Sequence, residues 1–134
     1  MIPSGNSILT TELNVVKMPS KQHRMDLNTN RIFGMCDNLE AVKQTIFKIL
    51  NTERYRYIIY SWNYGIELKD LFGQPPMYVC PEVERRVKEA LFQDDRITAV
   101  DNFEFAISKR GVVAVAFTVH TIFGDLTEEM AVNI

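Results

Sequence analysis

Residues 98–134 read TAVDNFEFAISKRGVVAVAFTVHTIFGDLTEEMAVNI, and the fold turns on this stretch. Residues 98–108 alternate, with Phe103, Phe105 and Ile107 on one side. Lys109, Arg110 and Gly111 form a turn, and 112–123 is a long run rich in β-branched residues. Gly124 and Asp125 turn the chain again, and 126–134 alternates to the last residue. Strands of this kind, separated by short turns, predict a three-stranded antiparallel meander. In the last strand Leu126, Met130, Val132 and Ile134 share one face, leaving Thr127, Glu129, Ala131 and Asn133 on the other. It holds no proline, and its charges lie in its first half. At a sheet edge it would offer unpaired N–H and C=O groups to a second strand. Alternatively it is covered or internal, with Glu128 and Glu129 guarding it. The pattern leaves both open.

Upstream, the period changes. Leu39, Val42, Ile46, Ile49 and Leu50 recur at helical spacing, and Asp37 or Asn38 supplies the side-chain acceptor that opens a helix. A second helix is expected from near Pro81, with Val83, Val87, Ala90 and Leu91 as its apolar stripe. Its solvated face carries the pairs Glu82–Arg86, Glu84–Lys88 and Arg85–Glu89, each worth roughly 0.2–0.5 kcal/mol. Residues 23–27 and 31–34 form a small hairpin through Asn28, Thr29 and Asn30. The aromatic run 55–60 predicts a short strand, and 66–72 a brief helical turn closed by Gly73, Pro75 and Pro76. Residues 1–20 read as an arm with a short strand near 13–18, and residues 21–134 as one domain. The expected class is α+β: two main helices packed with a C-terminal three-stranded antiparallel meander and a small N-terminal hairpin.

At 134 residues the chain supports one core, burying roughly two-thirds of its unfolded surface. A net charge of −2 gives no general case for nucleic acid or an anionic membrane. The charge is uneven: eight Lys/Arg against five Asp/Glu through Arg56, then seven against twelve. Cys36 and Cys80 stand apart and read as buried, reduced thiols. No stretch has the pattern of a signal peptide or the length to span a bilayer, so the cytoplasm is the expected place of synthesis.

Catalytic chemistry does not assemble. A glycosidase needs two carboxyls roughly 5–9.5 Å apart, one kept protonated. Glu82, Glu84 and Glu89 have basic partners instead, and Asp94 and Asp95 follow the helix at a turn. His23 and His120 fall in different strands without ligand neighbours at metal spacing, so neither metal nor cofactor is expected. His120 shares a row with Ala114, Ala116, Thr118 and Ile122 and reads as hydrogen-bonded and partly buried. Ser61 lacks a nucleophile elbow, and no glycine-rich phosphate loop occurs. Arg54 and Arg56 alternate with Tyr55 and Tyr57, which reads as tyrosines packed on a strand rather than a base-stacking platform.

Residues 51–73, NTERYRYIIYSWNYGIELKDLFG, resemble the XkdS-type tail proteins of the defective prophage PBSX and related phages. The likeness continues through Tyr78, Val79 and Cys80 to LFQDDRI at 91–97, and upstream through RIFGMCDNLEAVKQTIFKILNTER. These proteins are similar to the baseplate assembly protein W family of contractile tails. That family has an acidic-Pro-Arg element after its second helix, where this chain has Asp94, Asp95 and Arg96. Arg96 carries over, Asp94 supplies the acid and Asp95 replaces the proline. The expected role is a corner between helix and sheet, or a partner contact. The resemblance implies a non-enzymatic structural component that links baseplate wedge and tail tube proteins to the sheath protein around a sixfold axis. Residues 126–134 would template the sheath, and the removal of 127–134 is expected to leave the domain largely folded. The alternatives are a tail-associated peptidoglycan glycosidase and a free adaptor.

Overall fold

The computed structural model describes residues 19–134. The arm and the strand expected near 13–18 lie outside them, apart from residues 19 and 20. The described chain runs β1 (Gln22–Asp26), β2 (Arg31–Cys36), α1 (Asn38–Leu50), a 3₁₀ turn (Lys69–Leu71), α2 (Pro76–Leu91), β3 (Ile97–Ile107), β4 (Val112–Thr121) and β5 (Gly124–Asn133). The strands form two antiparallel sheets, the hairpin β1-β2 and the meander β3-β4-β5. This is the expected α+β architecture.

Alternation in β4 separates two environments, because successive side chains leave opposite faces of a strand. Val113, Val115, Phe117 and Val119 are buried. They meet Val42, Ile46 and Ile49 of α1 and Val79, Val83, Val87 and Leu91 of α2 in one core. Both helices therefore cover a single face of the meander. Phe103 stacks on Phe105 and Phe117 at that face, while Ile107, on the same side of β3, is exposed.

α1 starts where Asp37, extended at φ −146°, accepts from the Asn38 N–H at 2.7 Å. The C-terminal carbonyls of α1 are met by Asn51 and Thr52 side chains, on Phe47 at 2.8 Å and Lys48 at 2.6 Å. Groups left unbonded at a helix end are thus satisfied locally. Gln44 of α1 binds the hairpin, taking the Met25 N–H at 2.9 Å and donating to the His23 carbonyl at 2.7 Å. These lie at the register shift between His23 and Met25, where the ladder leaves backbone groups free.

Several expectations need correction. The second helix starts at Pro76, not Pro81, because Pro75 is extended and Pro76 takes the first position, where a missing N–H costs nothing. Pro81 sits inside the helix. Its ring removes one backbone bond, and the buried stripe from Val79 to Leu91 holds the helix across it.

Residues 55–60 do not form a strand. The only bridge nearby joins Glu53 to Ile66, and Tyr55 adopts φ +67°. β-propensity needs a neighbouring strand to pack against, and among the described residues none pairs with this run. Tyr55 and Tyr57 are accordingly exposed, not packed.

The face of α2 that carries Arg86 is not solvated. Arg86 is only 8% exposed and bonds both oxygens of Asp70, the Glu67 carbonyl at 2.9 Å and Glu82 at 3.1 Å. A buried guanidinium is tolerated only when its donors are matched, and here it ties the irregular segment 67–70 to α2. The other two expected pairs form, Lys88–Glu84 at 2.7 Å and Arg85–Glu89 at 3.3 Å. Cys36 is buried as expected, but Cys80 is only partly so; both are free thiols.

Candidate docking site at the sheet edge

β5 is an edge strand: the order β3-β4-β5 gives it β4 on one side and, among the described residues, no strand on the other. Its ladder to β4 runs in step from Thr121↔Gly124 to Val112↔Asn133 without a register shift. The chain reverses at Ile122 and Phe123, not at Gly124 and Asp125 as expected, so Thr121 and Gly124 close the ladder. At the far end the Ile134 N–H donates to the Gly111 carbonyl at 2.8 Å. Hydrogen-bonded and non-bonded pairs alternate along an antiparallel ladder. The N–H and C=O groups of Asp125, Thr127, Glu129, Ala131 and Asn133 therefore point away from β4. All of these residues are exposed.

The opposite row of β5 faces the helices. Val132 is buried, and Leu126, Met130 and Ile134 pack against the core. Removing 127–134 would strip this cover from the core, contrary to the expectation that the domain would stay largely folded. Glu128 belongs to this row by the same alternation, and the register sets it opposite Phe117. One of its oxygens is buried without a hydrogen-bond partner. Burial raises its carboxyl above the ordinary range, and only the Lys43 charge opposes this. An inward charge on an edge strand makes indiscriminate strand pairing costly.

On the outer face His120 joins three strands. Its Nδ1 lies 2.8 Å from Asp125 of β5 and its Nε2 2.9 Å from Asp101 of β3. The carboxylates, Asp125 first and then Asp101, raise the imidazole pKa. The Asp125 partnership was not legible, because the sequence reading put Asp125 in the turn, whereas the turn at Ile122 and Phe123 sets it opposite His120. That of Asp101 depends on the register of β3. Among the described residues no group of His, Cys, Asp and Glu is arranged to hold a metal ion.

Asp94, Asp95 and Arg96 form the corner between α2 and β3. Arg96 grips Asp94 through Nε at 2.9 Å and Nη2 at 2.6 Å, and its Nη2 reaches Thr45 of α1 at 3.3 Å. Burial alone would raise the Asp94 carboxyl, but the Arg96 side chain and backbone N–H outweigh it and hold it below the usual range. Arg96 thus joins the corner to α1. Asp95, where the related element has proline, is exposed. A cleft of about 680 Å³ opens beside this corner, lined in part by Tyr64, Gln93, Ile122 and Phe123.

The helix glutamates are not poised as acids. Glu82 is held low by Arg85, and Glu89 by Arg54, whereas a general acid needs a raised pKa.

The family model described as contractile injection system sheath initiator matches residues 14–124. The chain belongs to the sheath initiator family. It is 39% identical over 119 residues to the phage-like element PBSX protein XkdS of Bacillus subtilis (strain 168), covering 85% of this chain and 83% of that protein. The chain is therefore a structural, sheath-related tail component, and its family is not one of enzymes. The matched span of the sheath initiator closes at the first residue of β5, and what β5 offers a partner is read from geometry alone.

Proposed function

We propose that this sheath initiator starts the sheath by lending it a strand edge. An extended segment of a sheath subunit pairs with β5 as a fourth strand of the meander, bonding the outward groups of Asp125, Thr127, Glu129, Ala131 and Asn133. Leu126, Met130, Val132 and Ile134 hold β5 on the helices so that the edge is already extended when the partner arrives. The helical side attaches to baseplate wedge and tail tube proteins, in copies set by the sixfold axis, and assembly takes place in the bacterial cytoplasm. Asp94 and Arg96 act through the fold, keeping the meander at a fixed angle to α1 and α2.

One observation carries this reading: β5 is a ten-residue edge strand with an unbroken ladder on one side and no strand on the other among the described residues. Proline at outward-facing positions tests it, because proline removes an N–H without disturbing the bonds to β4. Thr127→Pro/Ala131→Pro is expected to enter baseplates and leave them without sheath. Normal sheaths on particles carrying only this variant would end the proposal.

A further inference from the structure

The segment between Glu53 and Ile66 projects an apolar surface that the β5 edge does not use. Ile58 is fully exposed, Ile59 is 85% exposed and Trp62 is 77% exposed, with Tyr55 and Tyr57 beside them in sequence. Isolated exposed apolar residues are ordinary, but a run of this size and aromatic content marks an interaction site.

The loop is held in shape from within. The Arg54 guanidinium donates to the Gly65 carbonyl at 3.2 and 3.1 Å and to Glu89 at 2.9 Å. Tyr60 stacks on Tyr64 at 4.4 Å and meets Tyr57 edge-on at 6.1 Å. Asn63 reaches Gln93 at 2.9 Å. A Cβ at Gly65 would lie 2.5 Å from the Thr52 carbonyl oxygen, so the two limbs of the loop touch at its base. Tyr55 keeps φ +67°, a costly conformation for a bulky residue. The apolar tip is therefore a built projection, and little ordering cost remains for binding.

We infer that this loop is a plug that seats in an apolar hollow rimmed by a carboxylate on another tail protein. Charge and shape select that occupant. Two charged residues lie between Glu53 and Ile66. Arg54 is paired with Glu89 at the base, whereas Arg56 lies over the Tyr57 ring at 5.6 Å and pairs with no carboxylate among the described residues. A second copy of the chain is a poor fit, since two projections would meet tip to tip with their Arg56 charges adjacent. A lipid surface is also a poor fit, since Arg56 is the one cation of the loop not already paired, and the base carries Glu53, Glu67 and Glu89. The inference rests on the chain being a tail component, but not on the open edge of β5.

The test uses the full chain as the only copy during tail assembly. Ile59→Ser/Trp62→Ser changes side chains that lie in solvent, so the purified variant should melt within a few degrees of the parent. It is expected to be at least tenfold depleted in purified tails. Arg56→Glu, which cannot disturb the core, should be depleted too, and should recover when the facing carboxylate of the partner is changed to arginine. A photo-crosslinking residue at position 58, in otherwise unaltered protein within purified tails, should join one other tail protein through a peptide that contains Asp or Glu. Adducts between two copies of this chain would overturn the inference. So would cosedimentation with phosphatidylglycerol–phosphatidylcholine vesicles that is lost in the double variant, or normal incorporation of that variant. Normal incorporation beside sheathless tails from Thr127→Pro/Ala131→Pro would remove the loop inference alone. Absence of the unaltered chain from tails would remove both.

Discussion

The two edges of the meander are built differently, though both lack a strand neighbour among the described residues. β3 shifts register twice, between Ile97 and Ala99 and between Asp101 and Glu104, and Asn102 sits at φ +54°. β5 stays in register throughout, with no residue after Gly124 at positive φ. Bulges bend an edge and break the spacing that an incoming strand must match. One edge is therefore spoiled for pairing and the other left regular. On β5 the remaining protection is Glu128, which tilts the balance against casual partners without altering the backbone.

The largest effect should come from blocking each edge in turn. Thr127→Pro/Ala131→Pro on β5 is expected to weaken docking of a sheath segment by about 100-fold, from roughly 3 kcal/mol of lost and unsatisfied hydrogen bonds. Ile107→Pro, whose N–H also faces outward, on β3, should leave docking unchanged in the same titration. Equal losses from both would erase the distinction between the edges.

Next in size is the end of β5. Gly111 has φ +74°, and a Cβ there would lie 2.8 Å from the Ile134 carbonyl oxygen. Gly111→Ala should cost about 2 kcal/mol in urea unfolding and free the last residue from β4. A stability loss below a few tenths of a kcal/mol would show that this tie contributes nothing.

Glu128→Leu should raise stability by about 1 kcal/mol, by relieving a buried carboxylate that lacks a partner. It should also shift the protein toward self-association by sedimentation. A variant that stays monomeric would show that Glu128 does not guard the edge.

The smallest effect concerns pH. Asp125 and Asp101 raise the His120 pKa in the folded state, so its contribution is complete below the unfolded imidazole value and is lost as pH rises through the folded one. Glu128 acts in the same sense: with its folded pKa raised, lower pH relieves the cost of burying its charge. His120→Asn should flatten the fall in stability across the imidazole range and leave the carboxylate range untouched, as measured by melting at a series of pH values.

Much of this was legible in the chain. The meander followed from alternation in 98–134, and α1 from the spacing of Val42, Ile46 and Ile49 with Asp37 ahead of them. Alternation placed Thr127, Glu129, Ala131 and Asn133 in one row of the last strand, but Asp125 was read as part of a turn, and whether the strand formed an edge was left open. The aromatic run 55–60 misled, because Tyr and Ile suit a strand only where another strand lies alongside. Pro81 misled in the opposite way: it looked like a helix start because its local preference was weighed without the buried stripe that spans it. Arg86 looked like a surface partner of Glu82, and its burial became visible only once segment 67–70 lay across it.

By itself the sequence determined the elements whose signal is periodic, the absence of any arrangement of catalytic groups in one motif, and the family likeness carried by 51–97. Tertiary structure alone decided which strand stood at an open edge, that an oxygen of Glu128 would lie buried without a partner, and which carboxylates met His120. The reason is range. Periodicity is set by neighbours a few residues apart, whereas an edge, a buried ion pair or a three-strand contact is set by segments that meet only after the chain has folded.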